Sequence, residues 1–345
     1  MVMSELKIAL ISPWKVRCGI FSYSRDLSDA LAQLGVDVYV IRWPRFGALT
    51  PDIVTNIVDK IPVDKVDLIH VQEEYGLFKG LEADFYVKLK MLGKPIVSTC
   101  HAVGTFPLDG IIAENSDSVI VHNQFCMRNF PFPDNLMVIP HGCKPAETKP
   151  VEESKRALGI DTKIPVVGTV GFISTYKGLE ILIEAMRDVP EAALLIGGGW
   201  HTERDTDYII DLKRKSLEFL EGRCQWLGYV EDDMLSTVYG AIDLFVYPSR
   251  HATESGALLT AMGYGKAILA SKIPPFEEKM PAVRTFRDSD DLSKKIRSLI
   301  KDEKTRKKME NRARSYAEAN SWDSVAEKHL ELYRDVLSAK TSNTI

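Results

Sequence analysis

One pattern constrains this chain more than any other. Short continuous apolar runs alternate with stretches whose apolar residues recur every three or four positions. The run at residues 6–11 reads as a strand buried on both faces. A glycine loop at Cys18-Gly19 follows it. Tyr23, Leu27, Ala30, Leu31 and Leu34 then fall on one helical face, and Gly35 stops the helix. Further strands are predicted at 36–41, 68–71, 96–99, 119–121 and 137–139, with helical stretches between several of them. This is the βαβ series of a parallel, doubly wound sheet.

The pattern lapses over residues 144–163 into Pro, Glu, Lys and Thr, which reads as a linker. It then restarts. A strand is predicted at 166–170, a loop at 171–178, and a helical stripe at Leu179, Leu182, Ile183 and Met186. The strand at 193–196 runs into Gly197-Gly198-Gly199, and further strands are predicted at 225–227, 244–247 and 267–270. The tail from 289 to 337 is predicted helical throughout, and its run KDEKTRKKMENRAR is expected to be a solvated helix face, with a membrane or partner site as the alternative. The expected organisation is therefore two Rossmann-like α/β domains, 1–150 and 163–320, with a tail at 321–345. Ligands of such sheets bind at the carboxyl ends of the strands, so the expected site is a cleft between the two domains.

At 345 residues the chain has room for two such cores. Its 45% hydrophobic and 27% charged residues are an ordinary globular mix. The net charge of -4, with acids and bases interspersed, argues against a nucleic-acid partner. Cys18, Cys100, Cys126, Cys143 and Cys224 include no CxxC pair and read as reduced thiols, consistent with a cytoplasmic location. The N-terminal apolar run reads as a first strand rather than a signal peptide, and no stretch approaches a membrane span. Peripheral contact with a membrane surface stays open.

Several residues have the chemistry for a site. Gly19 follows the first strand and precedes a helix, where backbone amides approach an anion; an ordinary turn glycine is the alternative. Lys177 precedes Gly178 at a helix start, against the helix dipole, which suits a bound phosphate; a solvated loop lysine is the alternative. His101, just past a strand end, can hydrogen-bond a sugar hydroxyl or exchange a proton. His70 and His122 read as structural, and His141 as shaping the linker region. Glu254, Ser255 and Gly256 open another helix whose amides suit a diphosphate, with Glu254 as a carboxylate that offsets the helix dipole as the alternative. Asp205, Asp207, Glu231, Asp232 and Asp233 read as surface helix starts, and no metal site is expected.

In order and spacing these segments resemble the large retaining glycosyltransferase family with the GT-B fold, group 1 or family 4 type, which includes mannosyl- and glucosyltransferases. The resemblance spans CGIFSYSRDL from Cys18, DLIHVQEEYGLF from Asp67, STCHAVG from Ser98, VIPHG from Val138 and GFISTYKGLEILIEAM from Gly171. It continues through WLGYV from Trp226 and DLFVYPSRHATESGALLTAMGYGKAILAS from Asp243 to SWDSVAEKHLELY from Ser321. It implies a last helix that crosses back to the first domain. It also implies roles at matching positions. Gly19 would lie against the donor diphosphate, and His101 near the reacting carbon of the donor sugar. Lys177 would bind the diphosphate and stabilise the leaving group, and Glu254 would touch sugar hydroxyls. Gly256 and Ala257, beside Ser255, would offer amides to the phosphates. Tyr229 and Val230 would hold the nucleobase through backbone.

Two positions depart from the family pattern. Phe172 stands where the family places an arginine, a charge that Arg250 or Arg17 would have to replace. Thr260 stands where a second glutamate usually holds the ribose. The expected activity is retaining transfer of a hexose from a nucleoside-diphosphate sugar, the donor substrate, to an acceptor hydroxyl, without metal or other cofactor. The acceptor, whether saccharide, lipid-linked or small molecule, has no legible code in Glu73, Glu74 and Tyr75, and GDP-mannose and a UDP-hexose both remain open as donor. A non-catalytic nucleotide-sugar binder and a GT-B phosphorylase or epimerase are the competing readings.

Overall fold

A computed structural model describes residues 6–44, 49–132, 134–199 and 205–342. The outer ends of the expected first domain and of the tail fall outside these residues. The chain divides into two units, residues 1–142 with 320–345, and residues 143–319.

The first unit is built on six parallel strands: β1 (Lys7–Pro13), β2 (Asp37–Trp43), β3 (Leu68–Glu73), β4 (Ile96–Cys100), β5 (Ser118–Val121) and β6 (Leu136–Val138). Their order across the sheet is β2-β1-β3-β4-β5-β6. Successive side chains point to opposite faces, so β1 sends Ile8 into one apolar cluster and Ala9 and Ile11 into another. The Ile8 face is covered by helix Gly19–Gln33, through Tyr23, Leu27 and Leu31, and by the final helix Trp322–Ser342, through Val325, Ala326 and Tyr333. The last helix thus completes the core of the first sheet, as the family resemblance implies. Gly142 makes this possible: a Cβ there would lie 2.3 Å from the Trp322 ring.

The second unit repeats the plan with β7 (Val166–Val170), β8 (Ala193–Gly197), β9 (Cys224–Gly228), β10 (Leu244–Tyr247), β11 (Ile268–Ser271) and β12 (Arg284–Phe286). All its pairings are parallel, in the order β12-β11-β10-β7-β8-β9. Val167, Leu194, Leu244 and Leu269 form a core on one face, and Val166, Leu195, Phe245 and Ile268 on the other.

Two sequence expectations change. The polar segment expected as linker contains helix Val151–Ala157, which belongs to the second unit. Its Lys155 is buried and forms a 2.8 Å ion pair with Asp243. A buried charge of this kind is invisible to a hydrophobic pattern, which scores the segment as solvated. The helical tail is three helices, Ser289–Lys301, Glu303–Ala319 and Trp322–Ser342. In the middle one only Met309, Ala313 and Ala317, four residues apart, are buried. The basic run is therefore mainly a solvated face. No helix among the described residues is long and apolar enough to cross a membrane.

Candidate functional site

In the second sheet β7 and β10 are neighbours, and the strand order changes direction between them. The carboxyl ends on either side of such a switch point form the natural ligand crevice. The segments that the sequence singled out lie there: residues 171–178 after β7, and 248–256 after β10.

The loop after β7 is shaped by glycines that nothing else can replace. Gly198, at φ +149, packs so tightly that a Cβ would sit 1.8 Å from the Gly171 carbonyl oxygen. Gly171 N–H donates to the Gly197 carbonyl at 2.9 Å, and Gly198 N–H to the Gly228 carbonyl at 2.6 Å. These bonds tie together the ends of β7, β8 and β9. Gly178 adopts φ +63, and a Cβ there would meet the Pro248 carbonyl oxygen at 2.4 Å. It closes the single turn Thr175–Lys177 and opens helix Leu179–Arg187. Lys177 is thereby fixed at the switch point. Its Nζ donates to the Tyr247 hydroxyl at the end of β10, and lies 4.7 Å from the centre of the Tyr176 ring. Burial works against the ammonium, but Tyr247 and Tyr176 outweigh it and hold the Lys177 pKa above its ordinary value. Lys177 is a permanent cation at neutral pH, in a recess shared with Gly171, Phe172, Gly197 and Pro248.

Helix Gly256–Gly263 starts on the far side of the crevice. Ser255 caps it, its Oγ accepting from Leu258 N–H at 3.3 Å. Gly256 is exposed and Ala257 half-buried, and a Cβ on Gly171 would be 3.1 Å from Ala257 Cβ. The helix start and the Lys177 loop are therefore contiguous. Tyr229 and Val230 follow β9 and border the same loops: Val230 Cγ2 would lie 2.9 Å from a Cβ on Gly197, and the Tyr229 ring centre is 6.2 Å from that of Phe172.

Glu254 has other partners than sugar hydroxyls. Its Oε2 is 2.7 Å from Lys279 Nζ, with the two side chains 5% and 2% exposed. Its Oε1 accepts from Ser255 N–H at 2.8 Å. The carboxylate thus braces the loop that leads into the helix, and Lys279 is a residue the sequence reading missed. A lysine on a polar-looking segment, distant in sequence, carries no signal of its pairing. Thr260 Oγ1 donates to the Gly256 carbonyl at 2.9 Å, within its own helix. Arg250, considered above as a substitute for the missing arginine, is paired with Glu180. Arg17 lies in the first unit, exposed.

In the first sheet the corresponding switch point lies between β1 and β3. Gly19 is the first residue of its helix, exposed, with nothing within 4 Å of a built Cβ, while the Cys18 sulfur accepts from Phe21 N–H. His101 follows β4 and is only partly exposed. Its Nε2 lies 2.9 Å from Gln72 Oε1 and its Nδ1 3.4 Å from His122 Nε2, so both ring nitrogens are engaged within the unit. Burial, reinforced by His122, His141 and His70, holds its pKa well below 6.5, and it is a neutral imidazole. The network extends inward. Gln72 Nε2 is 3.1 Å from His70 Nε2, and His70 Nδ1 is 2.7 Å from the Tyr333 hydroxyl on the final helix. His141 is half-buried, with its Nδ1 2.7 Å from the Gly142 carbonyl. Glu73, the last residue of β3, is buried, and Tyr86 donates to it at 3.2 Å. Tyr75 donates to Asp109 at 2.5 Å. Asp205 is buried, ahead of the helix Thr206–Leu220. Among the described residues no group of three or more His, Cys, Asp or Glu is placed to hold a metal.

Residues 150–316 match the family of glycosyl transferases group 1. The chain is 28% identical over 242 residues to the alpha-maltose-1-phosphate synthase of Mycolicibacterium smegmatis, covering 61% of this chain and 60% of that one. It is 23% identical over 359 residues to an uncharacterized glycosyltransferase of Methanocaldococcus jannaschii, covering 91% and 88%. Among solved structures, Anabaena HepE in complex with UDP and glucose superposes with a TM-score of 0.81 at 19% identity, covering 96% of this chain and 100% of that one. WaaG, a glycosyltransferase involved in lipopolysaccharide biosynthesis, superposes at 0.71 with 14% identity, covering 94% and 99%. The matched region thus spans about three fifths of the length of the M. smegmatis relative. The chain carries a glycosyl transferases group 1 domain in its second unit and has the two-domain GT-B fold.

Proposed function

We propose that the chain transfers a hexose from a nucleoside-diphosphate sugar to an acceptor hydroxyl in the cytoplasm, with retained anomeric configuration and without a metal. The observation that carries the reading is Lys177, a fixed cation at the switch point of the second sheet, contiguous with the open start of helix Gly256–Gly263. Cleavage of the anomeric C–O bond builds negative charge on the departing diphosphate. Lys177 and the Gly256 and Ala257 amides would stabilise it. The acceptor oxygen attacks from the same face, and its proton passes to the departing phosphate oxygen. Tyr229 and Val230 would border the nucleobase; for the first unit, the family resemblance implies that Gly19 approaches the diphosphate and that His101, a neutral group, contacts the donor sugar. The solved relative bound to UDP and glucose supports a nucleotide-sugar donor. In this reading Glu254 acts as a brace for the phosphate loop, through Lys279, rather than as a sugar ligand.

A second reading, a nucleotide-sugar binder without turnover, draws on Thr260, whose hydroxyl is spent on its own helix. A thermal-shift screen of UDP-glucose, GDP-mannose and their diphosphates, followed by donor hydrolysis with and without EDTA, tests both. Binding with metal-independent turnover is the expected result. Binding without turnover favours the second reading, and loss of turnover in EDTA restored by manganese refutes the charge scheme.

A further inference from the structure

The first unit holds a pocket of about 560 Å³. It is not at the switch point between β1 and β3. It opens beside the carboxyl ends of β1 and β2, the other side of β1. The register pairs Ser12 with Arg42 and Pro13 with Trp43, so Trp14 and Pro44 leave the sheet side by side. Helix Pro51–Val58, capped by Thr50 and begun by Pro51, forms another wall.

The pocket has the chemistry of a sugar site. Its base is apolar: Ile57 and Trp43 are buried, and Trp43 Nε1 is satisfied by the Leu77 carbonyl at 3.1 Å. Trp14 is half-buried and gives an aromatic wall, set edge-on to Phe21 at 5.4 Å. Asp52, Asn56 and Lys60 recur every four residues and are exposed, so they line one side. Arg42, also exposed, comes from the strand. A sugar ring offers an apolar C–H face and a rim of hydroxyls, which match an indole and planar Asp, Asn and Arg groups. Among the described lining residues two cations stand with one carboxylate, and no ion pair among the described residues occupies Arg42 or Lys60.

We propose that this pocket binds a saccharide bearing an anionic group, a uronate or a sugar phosphate, as the acceptor-side partner of the transfer proposed above. The assignment of the ligand as acceptor rests on that reading; the binding itself does not. The carboxylate or phosphate pairs with Arg42 and Lys60, the ring lies on Trp14, and Asp52 and Asn56 take hydroxyls.

The test is titration of the full chain with glucuronate and glucose 1-phosphate, against methyl glucoside, followed by saturation-transfer NMR and tryptophan fluorescence. The anionic sugars are expected to bind at least tenfold more tightly than methyl glucoside, because charge-assisted bonds are the strong ones. R42E/K60E should lose that preference at least tenfold, and W14A should weaken all three sugars. Both variants alter exposed or half-buried side chains, so their folding is checked by thermal melting. Equal binding of charged and neutral sugars, or binding unaffected by R42E/K60E in a folded variant, overturns the proposal. Donor hydrolysis is measured in parallel. If it persists in wild type and variants while sugar binding fails, the pocket is wrong and the transfer reading stands. If anionic sugars bind as expected but no donor is used, the transfer reading is wrong and the pocket stands.

Discussion

The buried pair of Lys279 and Glu254 is the most informative contact to break. Replacing Lys279 with methionine keeps the length and apolar bulk of the side chain but removes its charge. Glu254 then remains 5% exposed with no cation at 2.7 Å. Removing one partner of a buried pair leaves an uncompensated charge and costs about 3–5 kcal/mol. In a unit of this size that corresponds to roughly 6–20 °C in melting temperature, from about 2–4 °C per kcal/mol. Burial disfavours the Lys279 ammonium, but Glu254 outweighs it and raises its pKa. Lys279 is thus charged in the folded chain at neutral pH, and its stabilisation is complete below the unfolded lysine value of about 10.4, to be lost only as pH rises through the folded one. Because Glu254 also accepts from Ser255 N–H, the same change should loosen the start of helix Gly256–Gly263 and weaken binding of a nucleoside diphosphate. The assay is calorimetric melting of Lys279→Met, Glu254→Gln and the double replacement Lys279→Met/Glu254→Leu. The single changes should be strongly destabilising, and the double one should recover most of the loss, since an apolar pair of similar volume often matches a buried ion pair. Single variants that melt like wild type would refute the argument, because no buried charge would then be left unpaired.

Four further outcomes are expected. Lys177→Ala should lower donor turnover by about a hundredfold, the contribution of one positioned donor to developing charge, and weaken diphosphate binding; normal kinetics would remove the phosphate site. His101→Ala should lower turnover with the fold intact, while turnover in the parent stays flat between pH 6 and 8, because burial keeps the ring neutral there; an inflection near 6.5 that vanishes in the variant would show a titrating His101. The first unit should lose stability in acid: burial lowers His329 to about 4, so the unfolded chain takes up its proton first and stability falls by about 1.4 kcal/mol per pH unit from roughly 6.5 to 4. A replacement of His329 by glutamine that leaves the acid transition unmoved would contradict this. Gly198→Ala should yield little folded protein, since its Cβ has no room against the Gly171 carbonyl; wild-type melting would show that the loops after β7 and β8 are not in contact.

The sequence by itself determined the two sheets. Continuous apolar runs can be satisfied only by strands covered on both faces, and the alternation with amphipathic helices leaves parallel crossover as the connection. It also located Lys177, Gly178, Ser255 and Gly256, because a lysine or a small polar residue at a helix start leaves a local mark. What it left open was decided by contacts between residues far apart in the chain. Helix Val151–Ala157 looked like linker because its buried Lys155 is stabilised by Asp243, 88 residues away. Glu254 looked like a ligand because its partner Lys279 lies on another segment. The partners of His101, Gln72 and His122, come from neighbouring strand ends and leave no mark beside it in the sequence. A pattern records which residues prefer burial and where the backbone turns. It does not record which charge meets which, because that depends on the order of strands in the sheet, fixed only when the cores pack.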